Sequence, residues 1–123
     1  MYTYSYMEGL SHYDKESRPW GSFERFTLNE PSTVKVLTVA PNASLSLQTH
    51  VHRSEFWHIL KGSGVIRIGE VEREAKEGDS FYNPVGSVHR ITGGPDGVTF
   101  LEIAFGDFDE ADITRLEDTY GRA

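Results

Sequence analysis

Turn-forming residues interrupt this sequence so regularly that its segments fit an antiparallel β fold and little else. Glycine or proline clusters fall at Pro41-Asn42, Lys61-Gly62-Ser63-Gly64, Gly69-Glu70, Glu77-Gly78-Asp79, Pro84-Val85-Gly86 and Gly93-Gly94-Pro95-Asp96-Gly97. Between them lie short runs rich in Val, Ile, Thr, Phe and Tyr, at the spacing of a sandwich or barrel. The pattern predicts strands over Thr33–Val39, Leu45–His52, Phe56–Leu60, Val65–Ile68, Ser80–Asn83, Val88–Thr92 and Val98–Phe105. Residues 1–17 are polar and tyrosine-rich without a clear period, and are expected to form an N-terminal arm before a domain over 18–123. From Asp109 to Leu116 an acidic start, with Ile113 and Leu116 three apart, predicts a short helix or extension.

Size and charge narrow the partners. A chain of 123 residues buries one core and is too short for two. Twelve Lys and Arg stand against 19 Asp and Glu, for a net charge of −7. That balance argues against nucleic acid and against anionic membrane as partners. Any anionic ligand must be held by a local cluster of arginines. Cysteine is absent, which excludes disulfides, thiolate zinc sites and Cys nucleophiles. No apolar run approaches the roughly 18 residues of a membrane span. MYTYSYMEGL has neither a basic region nor a clean apolar one, so no signal peptide is read there and a cytoplasmic location is expected.

Strand parity brings out candidate metal ligands. Along Ser44–His52 one face carries Ser44, Ser46, Gln48, His50 and His52, and the other Leu45, Leu47, Thr49 and Val51. A single-sided sheet would turn the histidines to solvent. In a small barrel the polar row can line the lumen, with the leucines under an outer layer, either the arm or a second subunit. The Leu45/Leu47/Val51 face thus suggests a homodimer. Two histidines one residue apart on a strand can share one ion, and Glu55 on the next strand can supply a third ligand. His89 follows a second glycine-framed bend, Pro84-Val85-Gly86. One strand histidine is usually structural; His-x-His, then Glu, then a framed third His points to a metal.

These residues resemble the two motifs of the cupin superfamily, G-x5-H-x-H-x(3,4)-E-x6-G and G-x5-P-x-G-x2-H-x3-N. Glu55 and Gly62 keep the first spacing, and Gly78, Pro84, Gly86 and His89 keep the second through its histidine. Two residues, rather than three or four, separate His52 from Glu55, and Gly93 stands in place of the final Asn. RPWGSFE at Arg18–Glu24, LSLQTHVHRSEFW at Leu45–Trp57, PVGSVHR at Pro84–Arg90 and DITRLEDTYGR at Asp112–Arg122 narrow the match. They resemble the type II mannose-6-phosphate isomerase domain. Val51, Asn83 and Gly93 depart from its usual residues near the site. The resemblance implies an all-β, single-domain cupin, a jelly-roll-like double-stranded β-helix. It also implies one divalent metal (Zn, Mn, Co, Fe or Ni) on His50, His52, Glu55 and His89, and interconversion of mannose 6-phosphate and fructose 6-phosphate through a cis-enediol. A metal-containing sugar-phosphate binder without turnover, or a small metal-dependent dioxygenase, is the alternative.

Isomerisation of an aldose needs an electrophile at the sugar oxygens, a group to move a proton between carbons, and a clamp on the phosphate. Glu102, alternating with Phe100 and Ala104, is the candidate base if it projects into the lumen. Gln48 shares the histidine face and is a candidate for a substrate hydroxyl. For the phosphate the forked guanidinium is suited. Arg53, beside His52 at the mouth, leads, followed by Arg90, whose parity opposes that of His89, and by Arg115 and Arg122 of the tail. Arg18 and Trp20 are read as anchors of the arm, His58 as outward, and His12 is assigned no role.

Overall fold

A computed structural model describes residues 3–4, 7–106 and 108–121; Arg122 lies outside the described residues. The chain forms two compact units, Met1–Pro31 and Ser32–Ala123. In the first, strands β1 (Thr3–Tyr4), β2 (Asp14–Arg18) and β3 (Gly21–Arg25) make a three-stranded antiparallel sheet. Pairing from Asp14↔Arg25 to Arg18↔Gly21 leaves Pro19-Trp20 as a two-residue turn. The sequence-based end of the arm, residue 17, falls inside this hairpin. The Tyr13 hydroxyl donates to Glu24 at 2.7 Å. Arg18 ion-pairs with Glu16 at 2.6 Å and stacks over Phe23. Trp20 sits at the turn with 72% of its surface exposed, so it anchors nothing within this unit.

The second unit is one seven-stranded antiparallel sheet. Its strands are β4 (Thr33–Val39), β5 (Leu47–Thr49), β6 (Arg53–Ile68), β7 (Val71–Lys76), β8 (Ser80–Asn83), β9 (His89–Gly106) and β10 (Thr114–Glu117). The order β10-β5-β9-β6-β7 carries β4 as a further partner of β9 and β8 as a further partner of β6. β6 and β9 therefore run through the whole unit as its spine. The core gathers on their inner faces: Trp57, Ile59 and Ile66 from β6, Ile91, Val98 and Phe100 from β9, with Val39 and Ala75.

Two of the predicted turns lie inside these spine strands. Lys61-Gly62-Ser63-Gly64 and the Gly93–Gly97 cluster lie within β6 and β9, where the register shifts between Ile59 and Lys61 and again between Gly62 and Gly64. Bulges of this kind bend a strand without ending it. The glycines are there for closeness rather than for reversal. A Cβ on Gly62 would lie 2.2 Å from the Gly97 carbonyl oxygen, and one on Gly64 2.2 Å from that of Thr92.

Two further expectations are corrected. No helix occurs among the described residues. The tail instead makes a turn, in which the Asp109 carboxylate accepts from the Ala111 amide at 2.9 Å, and then pairs β10 with β5. The strand predicted over Leu45–His52 shortens to Leu47–Thr49. Leu45, Leu47 and Val51 consequently share no outward face: Leu47 is buried, Leu45 packs on the core, and Val51 alone is exposed. The ground for a homodimer on that face is gone.

The close approach at Gly64 yields a stability test. Gly64→Ala should lower folding stability by about 3 kcal/mol, at the upper end of overpacking costs. Gly69→Ala, at φ +60° with open space around it, should cost only about 1 kcal/mol of left-handed strain. Urea denaturation of the two variants measures the difference; equal costs would refute the bulge-contact account.

Candidate metal centre

The centre begins with the end of a strand. After Thr49 the chain leaves the ladder, because the Asp112 carboxylate accepts from the Val51 and His52 amides, both at 2.8 Å. Those two bonds also hold the Asp112 carboxyl below its ordinary pKa. The Gly86 amide donates to the His50 carbonyl at 2.9 Å. With the backbone turned this way, alternation no longer carries from His50 to His52. His50 is buried and His52 is exposed on the bend.

His50, Glu55 and His89 converge, with one ligand atom from each within 4.8 Å of the others. Glu55 is 2% exposed on the inner face of β6. Its Oε2 lies 3.4 Å from His50 Nε2 and its Oε1 3.2 Å from His89 Nε2. Both rings are held from behind by carbonyls, Asp112 O at 2.6 Å from His50 Nδ1 and Ser87 O at 3.1 Å from His89 Nδ1. A carbonyl only accepts, so each Nδ1 carries its proton and each Nε2 presents a lone pair to Glu55. Burial, partly offset by the Asp112 carbonyl and by Glu55, holds His50 below its ordinary pKa. His50 Nε2, His89 Nε2 and the Glu55 carboxylate face one another, and this donor set fits a cation between them. Two imidazoles and a carboxylate with carbonyl-oriented rings suit a first-row divalent ion.

Among the described residues, Arg53 is a cation that already reaches the triad. It opens β6, is buried, and donates from Nε to Glu55 Oε2 at 3.0 Å and from Nη2 to His50 Nε2 at 3.3 Å. Its guanidinium stacks over Phe108 at 4.5 Å. Burial would raise Glu55, but His89, then His50 and the Arg53 guanidinium, outweigh it and lower the carboxyl to about 2; the imidazoles do this where they carry a proton on Nε2, the place a cation between the three groups would take.

A cavity of about 150 Å³ adjoins the triad. Leu37, Leu45 and Trp57 form its apolar side, Ser46 and Gln48 its polar side, and Lys35, Arg115, Glu102 and Glu110 its charged part. Glu102 stands opposite Trp57 in the ladder and accepts from its indole Nε1 at 3.1 Å. Burial, then the nearby Glu55 charge, push the Glu102 carboxyl up to about 7 against the pull of Trp57, Arg53 and Lys35. Gln48 is half-buried and leans on Ser46. Arg115, opposite Gln48, brings a buried Nε without a hydrogen-bond partner.

Two expected members lie elsewhere. His52 is exposed and is not among the described residues whose ligand atoms converge, for the backbone reason given above. Arg90 ion-pairs with Glu117 at 3.1 Å and does not line the cavity, as its parity opposite His89 requires. His58 lies on the face opposite Trp57, with Nδ1 2.8 Å from the Ser80 hydroxyl. Lys35, Trp57 and Asp112 were not singled out from the sequence. The pairing of Lys35 with Glu102 across β4 and β9 would have revealed the first.

Comparison with known proteins gives the family and the fold. The profile of the family described as mannose-6-phosphate isomerase C-terminal matches residues 7–118. The chain belongs to that family. It is similar to the xanthan biosynthesis protein XanB of Xanthomonas campestris, at 39% identity over 110 residues, which are 88% of this chain and 24% of that protein. It is equally similar to the alginate biosynthesis protein AlgA of Pseudomonas aeruginosa, at 39% over 107 residues, 85% of this chain and 22% of that one. The chain thus spans about a quarter of these curated relatives. Among solved structures, the capsular polysaccharide assembling protein CapF of Staphylococcus aureus aligns at TM-score 0.65 and 22% identity, over 85% of this chain and 34% of that one. A Klebsiella pneumoniae protein with a double-stranded β-helix domain aligns at TM-score 0.63 and 22% identity, over 73% and 78%. The fold is the all-β cupin double-stranded β-helix.

Glu102 gives this site a pH signature. Its folded pKa near 7 lies above the ordinary 4.5, so the folded chain holds the extra proton. Its burial therefore costs stability as pH rises from 4.5 to 7, by about 3 kcal/mol at 1.36 kcal/mol per unit. Glu55 has the opposite sign: its contribution is present above 4.5 and is lost as pH falls toward 2. In chelator-treated protein, Glu102→Gln should raise urea stability by about 2–3 kcal/mol at pH 8 and leave it nearly unchanged at pH 4. An equal gain at both values would remove the raised carboxyl from the account.

Proposed function

We propose that this domain is a metal-dependent sugar-phosphate isomerase acting on mannose 6-phosphate and fructose 6-phosphate. The observation that carries the reading is the pairing of a lone-pair triad with a second buried carboxyl, Glu102, whose pKa near 7 suits it to take and return protons at neutral pH. His50, Glu55 and His89 are the residues that would hold the ion. When bound, a divalent ion supplies Lewis-acid polarisation of the sugar's oxygens.

The chain's own residues would do the rest. Glu102, aimed by the Trp57 indole, would take the proton from C2 of the aldose and return it at C1 through a cis-enediol, while the hydroxyl proton passes from O2 to the neighbouring O1. Gln48 is placed to hold a sugar hydroxyl. The cavity adjoins the triad, so the reacting end of a hexose would enter it toward His89 and Glu55. The phosphate would therefore sit at the mouth, where Lys35 and Arg115 provide cationic donors. Arg53, already spent on Glu55 and His50, fits better as the partner that sets the charge of the centre than as the outer phosphate clamp.

The test loads the purified chain separately with Zn, Mn, Co, Fe and Ni and supplies mannose 6-phosphate. Fructose 6-phosphate is expected with at least one of them; its absence with all, while metal is retained, would leave a sugar-phosphate binder. His50→Ala and His89→Ala should lose stoichiometric metal, whereas His52→Ala should keep it. Loss of metal in His52→Ala would restore the four-ligand set. Glu102→Gln should keep the metal and lower kcat by about 10²–10⁴-fold.

A further inference from the structure

We infer that Asn83 is a positioning residue of the same centre, its side-chain amide holding the water or hydroxyl oxygen at the ion's open position. The inference rests on the metal reading of the triad. Asn83 closes β8 directly opposite Glu55, as Ala104 does on the other side of β6. Opposed residues of antiparallel strands share a face, with Cβ atoms about 4.5–5.5 Å apart. The amide therefore lies beside the Glu55 carboxylate on the inner face.

What singles it out is a failure of pairing. Asn83 is 1% exposed, and neither Oδ1 nor Nδ2 has a hydrogen-bond partner among the described residues. Buried amides left wholly unsatisfied are rare in native proteins. The neighbouring positions on this face, Phe81, Trp57 and Ala104, show that apolar packing is available there. An amide at this place needs a ligand from outside the chain. It offers one acceptor and two donors, the complement of a hydroxyl or water oxygen.

The chain after Asn83 is tied to both imidazoles. The Gly86 amide bonds the His50 carbonyl, and the Ser87 carbonyl accepts from His89 Nδ1. Asn83 thus starts the segment that orients two of the three ligands, and adds to it a polar group aimed beside the third.

Cobalt(II) is the probe, added to the full chain and to Asn83→Val and Asn83→Asp. Asn83→Val should still bind one equivalent, because the triad is intact. Its visible d–d absorption should change, and its affinity against a competing chelator should fall about 10-fold or more, as when an outer partner of a metal site is lost. The metal-free variant should unfold at higher urea than wild type. Asn83→Asp, nearly isosteric, should tighten cobalt binding, and decides the matter if the valine variant does not fold. A wild-type spectrum and affinity in Asn83→Val, or unchanged affinity in Asn83→Asp, would overturn the inference while leaving the triad standing. Failure of wild type to bind cobalt at all would sink both readings, and is distinguishable by that fact.

Discussion

A carboxylate buried without water must find positive charge or donors, and Glu55 is the point at which this domain meets that demand. Its two oxygens face His50 and His89, and Arg53 reaches it from two residues away on the same face. A buried ion pair roughly breaks even against apolar packing, whereas removing one partner leaves an expensive orphan. Glu55 therefore constrains its surroundings more than it stabilises them. The imidazoles must arrive with lone pairs inward, which requires carbonyls behind them, and the carbonyls come from two different loops. Asp112 and Ser87 hold the rings from two separate loops, one before β9 and one after it. The tail is thus part of the centre through the Asp112 carbonyl.

The same demand explains the division of labour between the two buried glutamates. Glu55 has Arg53 and two imidazoles, and ionises readily. Glu102 has an indole N–H and the field of Glu55, and resists ionisation. Two carboxyls on one inner face are driven apart in pKa because one has taken the available cation. That separation is the usual basis on which one carboxyl binds a metal and the other moves protons. Replacing Arg53 would act on both at once, since its charge lowers each of them.

Legibility in the sequence followed the range of the interactions. Strands β4 and β8 were read to the residue because a local run of β-branched and aromatic residues bounded by turn signals defines them. Glu55, His89, His50 and the inward Glu102 were legible from motif and parity. His52 lies exposed outside that cluster because parity holds only while the strand continues. What ends that strand is a carboxylate about sixty residues on, Asp112, which no local pattern reports. The glycine clusters misled for a related reason. Glycine marks a turn and a close backbone approach with the same letter, and only the partner strand tells which is meant. Lys35 stayed hidden because an alternating strand gives no sign of which charged residue has a cavity behind it.

The net charge of −7 sets a problem for the proposed substrate, which is how an acidic molecule would receive a phosphate. The field of the whole chain opposes a phosphate. Around the cavity the balance changes: Lys35, Arg53 and Arg115 stand against Glu55, Glu102 and Glu110, and Glu102 is half-protonated near neutrality. Lys35 ion-pairs with Glu110 at 2.8 Å and stacks on Phe108, the ring that Arg53 also covers. Glu110 is exposed, so water screens its hold on Lys35, and an arriving dianion can compete for the ammonium at small cost. A proton on Glu102 favours the same approach by removing a repelling charge. Anion capture and the protonation state of the proposed base are therefore coupled through the short distance across one cavity.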